Sequence, residues 1–289
     1  MNVLQVAILR WYHANLTASF AVGPFPFGLA FDGATIWVAS NNGNNVSRLR
    51  ACDGANLGTF AVGTFPEGVA FDGACIWVTN FGSNDVTRLR ASDGMTLGTF
   101  NVGTGPEGVA FDGANLWVVN SGSHNVTKLR ASNGSTLGTF AVGNQPRSVA
   151  FDGQHIWVTN RLSNNVTKLR ASDGANLGTV AVGTFPLGVA FDGANIWVVN
   201  ANSNNVIKLR ASDGTIRGTF AVGSGPRAVA FDGANIWVAN TLSNDVTKLR
   251  ARDGTNLGTF AVGEAPENVA FDGANIWVSN SVSNTVSKL

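Results

Sequence analysis

The stretch FDGANIWVAN, residues 231–240, decides the fold of this chain because it recurs along the whole sequence. Each copy begins with Phe-Asp-Gly and continues to Ile or Leu followed by Trp-Val. The copies start forty residues apart, at Phe31, Phe71, Phe111, Phe151, Phe191, Phe231 and Phe271. A fixed period of about 40 residues is typical of propellers and arrays, in which a unit buries its apolar surface only against its neighbours. The chain is therefore seven copies of one unit.

One unit, residues 64–103, contains four short runs bounded by turn residues: GVAF, CIWVT, DVTRLR and TLGTFNV. Their Val, Ile, Phe, Trp and Thr content predicts strands, here named a, b, c and d. Asp-Gly pairs lie in the a–b and c–d connections. Such pairs are favoured in hairpin turns because both central residues reach positive φ. Pro66 has no N–H to give to a ladder, which predicts a loop between d and the next a.

These runs predict an all-β fold, a seven-bladed β-propeller with four antiparallel strands per 40-residue blade. A solenoid is the competing fold, but seven is a favoured blade number and neither end carries a polar cap. We expect residues 1–289 to form a single domain, since no linker or compositional break interrupts the repeat. The predicted blades are 24–63, 64–103, 104–143, 144–183, 184–223, 224–263, and 264–289 plus 14–23.

The two ends of the chain predict how the ring closes. The last unit stops in strand c and has no strand d, whereas residues 17–23 form a strand d with no blade of its own. We therefore expect this N-terminal strand to complete the last blade, joining the three C-terminal strands. Residues 5–10 (QVAILR) match strand c in register and compete with residues 285–289 for one position. The C-terminal copy retains its short b–c hairpin, so we expect it to occupy the position.

Composition narrows the classes of partner. The formal net charge of +1 gives no electrostatic footprint for nucleic acid or an anionic membrane. No secretory leader or run of about 18 apolar residues is visible, which predicts a soluble protein and leaves its compartment open. Cys52 and Cys75 replace Ser and Asn of the repeat, so no disulfide framework, metal site or cofactor is expected. We expect a monomer.

The segments VGTGPEGVAFDG (102–113) and WVVNSGSHNVTKL (117–129) resemble the YVTN repeat, and the resemblance extends from about residue 16 to the end. It implies a seven-bladed propeller of the superfamily that includes NHL-type propellers and virginiamycin B lyase. Trp replaces the usual Tyr, and strand c carries Lys or Arg at two alternating positions. Lyase-like members use His and Glu with a divalent metal. This chain has only His13, His124 and His155, and no such cluster can be carried over to it.

Most of the charge has a structural interpretation. Of the 19 Lys and Arg residues, 13 lie in strand c, and 12 of the 18 acids belong to the two repeated Asp-Gly positions. We interpret the aspartates as turn residues that accept backbone hydrogen bonds, and the basic stripe as a solvated outer rim. The alternatives are a ring of carboxylates that binds cations and a basic surface for nucleic acid.

Residues that differ among the copies collect in the d–a and b–c loops, which should share one face. There the sequence predicts a polarised channel mouth, with Glu residues on one arc, Arg residues on the other, and exposed phenylalanines between them. Such a mixture is common at recognition surfaces. The candidate ligand-binding residues are Phe25, Phe27, Phe65, Glu67, Phe81, Glu107, Arg147, Arg161, Phe185, Arg227 and Glu267. The alternative is neutral drift of loop residues.

Three functions are compatible with this pattern. The favoured hypothesis is a non-enzymatic scaffold that binds a small molecule, a peptide or a protein through the variable face. The second is an engineered or recently amplified repeat protein with no evolved ligand. The third is a metal-assisted lyase or hydrolase of the virginiamycin B lyase type at the same mouth, for which Glu67, Glu107 and His124 are the candidates on that face.

Overall fold

The structure is a computed structural model that describes residues 18–289. Its strands follow the four runs of the repeat. The seven a strands are Pro26–Phe31, Pro66–Phe71, Pro106–Phe111, Pro146–Phe151, Pro186–Phe191, Pro226–Phe231 and Pro266–Phe271. The b strands are Thr35–Ser40, Cys75–Asn80, Asn115–Asn120, His155–Asn160, Asn195–Asn200, Asn235–Asn240 and Ile276–Asn280.

The outer strands complete each blade. The c strands are Asn45–Arg50, Asp85–Arg90, Asn125–Arg130, Asn165–Arg170, Asn205–Arg210, Asp245–Arg250 and Thr285–Lys288. The d strands are Asn56–Ala61, Thr96–Asn101, Thr136–Ala141, Asn176–Ala181, Ile216–Ala221 and Asn256–Ala261, with Ala18–Ala21 as the d strand of the last blade. Short 3-10 helices occupy two b–c loops, Asn41–Gly43 and Ala201–Ser203. Across residues 18–289, no helix has the length and apolar character needed to cross a membrane.

The strands form seven antiparallel sheets of four strands, each in the order a, b, c, d. The a strands of neighbouring blades contact one another around the ring and line its axis. The predicted seven-bladed β-propeller is therefore confirmed. The a strands begin with a register shift, such as that between Pro66 and Val69, and a bulge of this kind re-aims the side chains beside it.

The ring closes as predicted. Ala18–Ala21 pairs with Thr285–Lys288, with Ala18 opposite Lys288. The C-terminal segment occupies the strand c position; the competing residues 5–10 lie outside the described residues. Contacts between the last and first blades copy those elsewhere, since Ser279 Oγ donates to the carbonyl of Phe27 at 2.6 Å, as Thr79 Oγ1 does to that of Glu107.

The core lies in the gaps between blades. Trp37 is fully buried and packs with Val69, Ile76 and Val78 of the next blade. The same cluster repeats around the ring, and each repeat tryptophan except Trp237 is fully inaccessible to solvent. Burying a tryptophan removes up to about 250 Å² of its surface from water, so these gaps carry much of the hydrophobic stabilisation.

The aspartate of Phe-Asp-Gly ties each a–b turn to that core. Oδ1 of Asp112 accepts hydrogen bonds from the backbone N–H groups of Ala114 (2.9 Å) and Asn115 (2.7 Å), and Oδ2 accepts one from Nε1 of Trp117 at 2.8 Å. These bonds lower the pKa of Asp112 although burial raises it. The expected pair of positive φ angles is wrong: in this turn only Gly113 is left-handed, at 97°. The aspartate is needed for its carboxylate, not for a left-handed backbone.

The basic residues of strand c have two different roles. The outer ones are solvent-exposed and pair with the second Asp-Gly, as Arg90 does with Asp93 at 2.9 Å. The inner ones lie over the tryptophan of their own blade: Nζ of Lys128 is 4.8 Å from the Trp117 ring centroid and donates to the carbonyl of Ala171 in the next blade at 2.7 Å. The predicted solvated rim therefore holds only for the outer position, because the inner cations join adjacent blades.

Candidate functional site

The b–c and d–a loops lie on the same face, as the sequence predicts. The backbone N–H of Phe81, in a b–c loop, donates to the carbonyl of Phe65, in a d–a loop, at 3.0 Å. The next d–a loop is tied to this blade as well, since Asn84 Oδ1 accepts from the N–H of Gly105 at 2.8 Å. Equivalent bonds recur around the ring, so the variable residues are held on a rigid support.

The residue before each loop proline has a left-handed backbone. Phe25, Phe65 and Phe185 have φ values of 56°, 52° and 59°. Such angles are unusual for a bulky side chain and cost about 1–2 kcal/mol per residue. Two other copies have glycine there, Gly105 and Gly225, both at 61°. The phenylalanines therefore persist despite a backbone that glycine accepts without strain.

The residue after each loop proline points to the propeller axis. These seven residues, with their neighbours in strand a, line a cavity of about 220 Å³. They are Phe27, Glu67, Glu107, Arg147, Leu187, Arg227 and Glu267. The strands approach closely at this point: a Cβ on Gly68 would come within 2.3 Å of the Glu107 carbonyl oxygen.

Arg147 joins two carboxylates in the cavity. Its Nη1 donates to Oε2 of Glu67 at 2.7 Å and also to Oε2 of Glu107, whose side chain is only 5% exposed. Burial would lower the pKa of Arg147, but the two carboxylates raise it above its usual value. Burial raises the pKa of Glu67, against the opposing effect of Arg147. With both carboxyl groups ionised, the three residues form one buried ionic group with a net charge of −1.

Arg227 and Glu267 form a second, looser pair. Nε of Arg227 lies 2.5 Å from Oε2 of Glu267, yet the two atoms are poorly aligned for a hydrogen bond. Ser281 Oγ donates to Oε1 of Glu267 at 3.2 Å. Burial raises the pKa of Glu267 and lowers that of Arg227, and the positive charge of Arg147 lowers the Arg227 pKa further. Phe27 lies against both guanidinium groups, 5.5 Å from that of Arg227 and 5.7 Å from that of Arg147.

The blade order places Glu267, Glu67 and Glu107 on one arc and Arg147 and Arg227 on the other, as expected, but the two arcs are not separate surfaces. The acids and guanidinium groups of the axis bond to each other and lie inside the channel, because side chains long enough to reach the axis meet across it. Arg161 is not among the cavity-lining residues: it donates to Oε1 of Gln145 at 2.6 Å and lies over the ring of Phe185 at 5.3 Å. Phe25, Phe65, Phe81 and Phe185 belong to the loops around the channel.

The structure also gives His124 a local role. It has a left-handed backbone, φ 54°, where other copies have asparagine. Its Nδ1 accepts the N–H of Gln145 at 3.1 Å, as the asparagine oxygen does elsewhere. It is not among the residues that line the cavity with Glu67 and Glu107. Over residues 18–289, no group of three or more His, Cys, Asp or Glu side chains is placed to hold a metal ion.

The candidate list omitted the apolar wall of the cavity. Val69, Val109 and Val189 line it together with the charged residues. Strand periodicity carried this signal, because residues two apart in a strand share a face and each valine lies two residues after a channel residue. Leu187 was likewise left out, although it occupies the same repeat position as Arg147.

Comparisons with known proteins identify the fold. No family model and no curated protein sequence matches the chain. Among solved structures, the chain is similar to the hydrazine synthase of Kuenenia stuttgartiensis, with a TM-score of 0.82, 19% identity, and coverage of 92% of this chain and 95% of that one. It is also similar to a streptogramin B lyase, with a TM-score of 0.81, 18% identity, and coverage of 94% and 96%. At this level of identity the likeness establishes that the chain is a seven-bladed β-propeller and leaves activity open.

Proposed function

We propose that this protein is a non-enzymatic binding propeller that takes a small ligand at the axial cavity and contacts it, or a larger partner, through the surrounding loops. The observation that carries the proposal is the variation of one repeat position among the seven blades. The residue after the loop proline is aromatic, acidic, basic or aliphatic in different blades, and all seven side chains meet in one cavity. The Trp-Val pair of strand b, by contrast, is identical in all seven copies.

The loops support the same proposal. Phe65 is 49% exposed and Phe81 is 39% exposed, and they belong to adjoining loops. Phe65 also retains a left-handed backbone that favours glycine. Strained backbone conformations of this kind are enriched at binding and active sites, where the side chain contributes to function despite the energetic cost of the backbone conformation. Exposed aromatic residues beside a charged cavity supply the apolar contact area that recognition uses.

A binding screen tests this proposal. The protein would be screened by thermal shift against metabolites, sugars and peptides, and each hit measured by calorimetry on two variants. Phe65→Ala removes an exposed apolar side chain at the mouth, and Leu97→Ala removes one from strand d. We expect weaker binding only for Phe65→Ala. Equal affinities for the two variants, or no ligand at all, would contradict the proposal.

The same samples separate binding from catalysis. The two structural neighbours described above are a synthase and a lyase. Mass spectrometry of each hit after incubation with the protein should return the ligand unchanged. Turnover that depends on Glu67 or Arg147 would replace the binding function with an enzymatic one at the same cavity.

A further inference from the structure

We propose that the ligand of the axial cavity is a small zwitterion of the α-amino acid class, with its carboxylate on the Arg227 guanidinium and its ammonium group at the carboxylates of Glu67 and Glu107. This inference rests on the proposed binding function and specifies the ligand. Three observations carry it: an underused guanidinium, the charge balance of the cavity, and the volume and lining of the cavity.

Arg227 has hydrogen-bond donors to spare. No acceptor among residues 18–289 takes a hydrogen bond from its Nη1 or Nη2, and its buried Nε is misaligned with Glu267. Its side chain is 32% exposed and faces the cavity that it lines. Arginine presents its two Nη groups in a planar fork that matches a carboxylate. A carboxylate here would also lie close to the positive charges of both Arg227 and Arg147.

With all five charged groups ionised, the charge balance favours a positive group on the same ligand. The cavity already holds three carboxylates, those of Glu67, Glu107 and Glu267, and two guanidinium groups. A ligand with a carboxylate alone would raise the net charge from −1 to −2 in a largely buried space, which is costly in a low dielectric. A zwitterion leaves the net charge unchanged.

The ammonium group has acceptors available across the cavity. Arg147 engages Oε2 of Glu67 and Oε2 of Glu107, and no donor among the described residues is bonded to Oε1 of either. The raised pKa of Glu67 agrees with a buried carboxylate that lacks full compensation. An ammonium group donates three hydrogen bonds and so can serve both oxygens.

Size and lining limit the rest of the ligand. A cavity of about 220 Å³ has room for several water molecules, and so for a small ligand in their place. Val69, Val109, Leu187 and Val189 supply an apolar wall between the charged groups. An amino acid with a short aliphatic side chain fits this combination.

A matched set of probes tests the assignment. Calorimetry at pH 7 would compare glycine, alanine and valine with 2-methylpropylamine, which lacks the carboxylate of valine, and 3-methylbutanoate, which lacks its amino group. We expect at least one amino acid to bind and both analogues to bind at least about 10-fold more weakly, as expected for the loss of a charged hydrogen-bond partner.

Two variants locate the carboxylate. Arg227→Lys retains the charge and removes the fork, and should weaken amino acid binding by about 10- to 100-fold. Arg170→Lys makes the same change at an exposed surface pair with Asp173 and should leave the affinity unchanged. Equal affinities for the two variants would overturn the assignment of Arg227. Circular dichroism of both variants confirms that the fold is retained.

The remaining outcomes separate this inference from the function on which it rests. If the amine binds as tightly as valine, the cavity is a cation site; if the acid does, it is an anion site; either result overturns the zwitterion. If no amino acid binds but another ligand binds in a Phe65-dependent way, this inference fails and the binding function stands. If nothing binds, both fail.

Discussion

The gaps between blades and the cavity on the axis are built from the same repeat, yet they differ in composition. Every gap contains the same groups: a buried tryptophan, an aspartate bonded to it, and a cation of strand c above it. The axial cavity contains one side chain from each blade, and these range from Phe27 to Glu67 to Arg147.

Geometry explains the difference. Each gap is enclosed by two adjacent blades and meets the same neighbours, so the same residues serve every gap. On the axis, by contrast, the seven equivalent residues meet one another. Seven identical acids or bases would place like charges in one buried space, which costs several kcal/mol or forces some of the groups into their neutral form. The axial position therefore has to diverge if it is charged, and the ways in which it diverges determine what the cavity can bind.

The largest expected effect comes from breaking a gap. Trp117→Ala should lower the free energy of unfolding by about 3–5 kcal/mol. The substitution leaves a large cavity and removes the Nε1–H group that donates a hydrogen bond to Asp112. Urea unfolding followed by circular dichroism measures the change. Leu137→Ala, at an exposed site on strand d, is the control and should have a much smaller effect. Similar losses for the two variants would mean that the gaps do not hold the ring together.

The next effect comes from breaking the axis. Arg147→Leu introduces the residue type found at the equivalent position of the next blade, Leu187. It leaves Glu67 and Glu107 as buried carboxylates without a compensating charge. We expect a loss of about 3 kcal/mol at pH 7, since removing one partner of a buried ion pair is strongly destabilising.

The pH dependence distinguishes charge from packing in that variant. Burial raises the pKa of Glu67, so its protonation in acid removes part of the buried charge, and the loss should shrink as the pH falls from 7 towards 5. Adding Glu67→Gln and Glu107→Gln to Arg147→Leu should recover stability at pH 7. A loss independent of pH would show that Arg147 acts through packing alone.

A single turn gives an intermediate effect. Asp112→Asn retains the shape of the side chain but places an amide N–H group beside the N–H groups that donate to Asp112. We therefore expect the free energy of unfolding to fall by about 1–3 kcal/mol, as when a buried hydrogen-bonding group loses its partner. Urea unfolding at pH 7 measures it. The exposed Asp93→Asn is the control, with a smaller shift in the urea midpoint. Equal shifts of the urea midpoint for the two variants would show that the hydrogen bond between Asp112 and Trp117 contributes little to stability.

A smaller effect, in the stabilising direction, is expected at the loops. Ala265 has a φ of 53°, so Ala265→Gly should relieve strain and raise the unfolding free energy by about 1 kcal/mol. The control Ala61→Gly, in strand d, should destabilise by about 0.5–1 kcal/mol because glycine gains freedom in the unfolded chain. Destabilisation by both variants would argue against strain in the d–a loops.

The smallest effect is a slope of stability with pH. The pKa values of Glu67 and Glu267 are raised in the folded protein, so the fold binds protons more tightly than the unfolded chain does. These groups stabilise the fold below the ordinary glutamate pKa, and their contribution is lost as pH rises through the raised values. Glu67→Gln should make the urea midpoint less dependent on pH between 5 and 7. An unchanged slope would contradict this.

The sequence predicted the fold well and the site only in part. The forty-residue period, the phase of the chain ends and the proline of each d–a loop were enough for blade number, strand order and closure. The candidate residues at the axis could be named because one variable position lay in phase in all the copies. The pairing of these residues could not be predicted. The repeat period indicates which side chains point inward, but it does not indicate how far across the channel each one reaches.

By itself, the sequence determined which elements form and which blades are neighbours, since those follow from local strand and turn chemistry repeated at a fixed interval. Only the tertiary structure decided how the copies that differ combine. Arg147 is bonded to residues from two other blades, one of them 80 positions away in the chain, and Arg227 retains an unused donor fork. Those relations arise where the ring closes on its axis and distant residues share one small volume, and no local pattern encodes that.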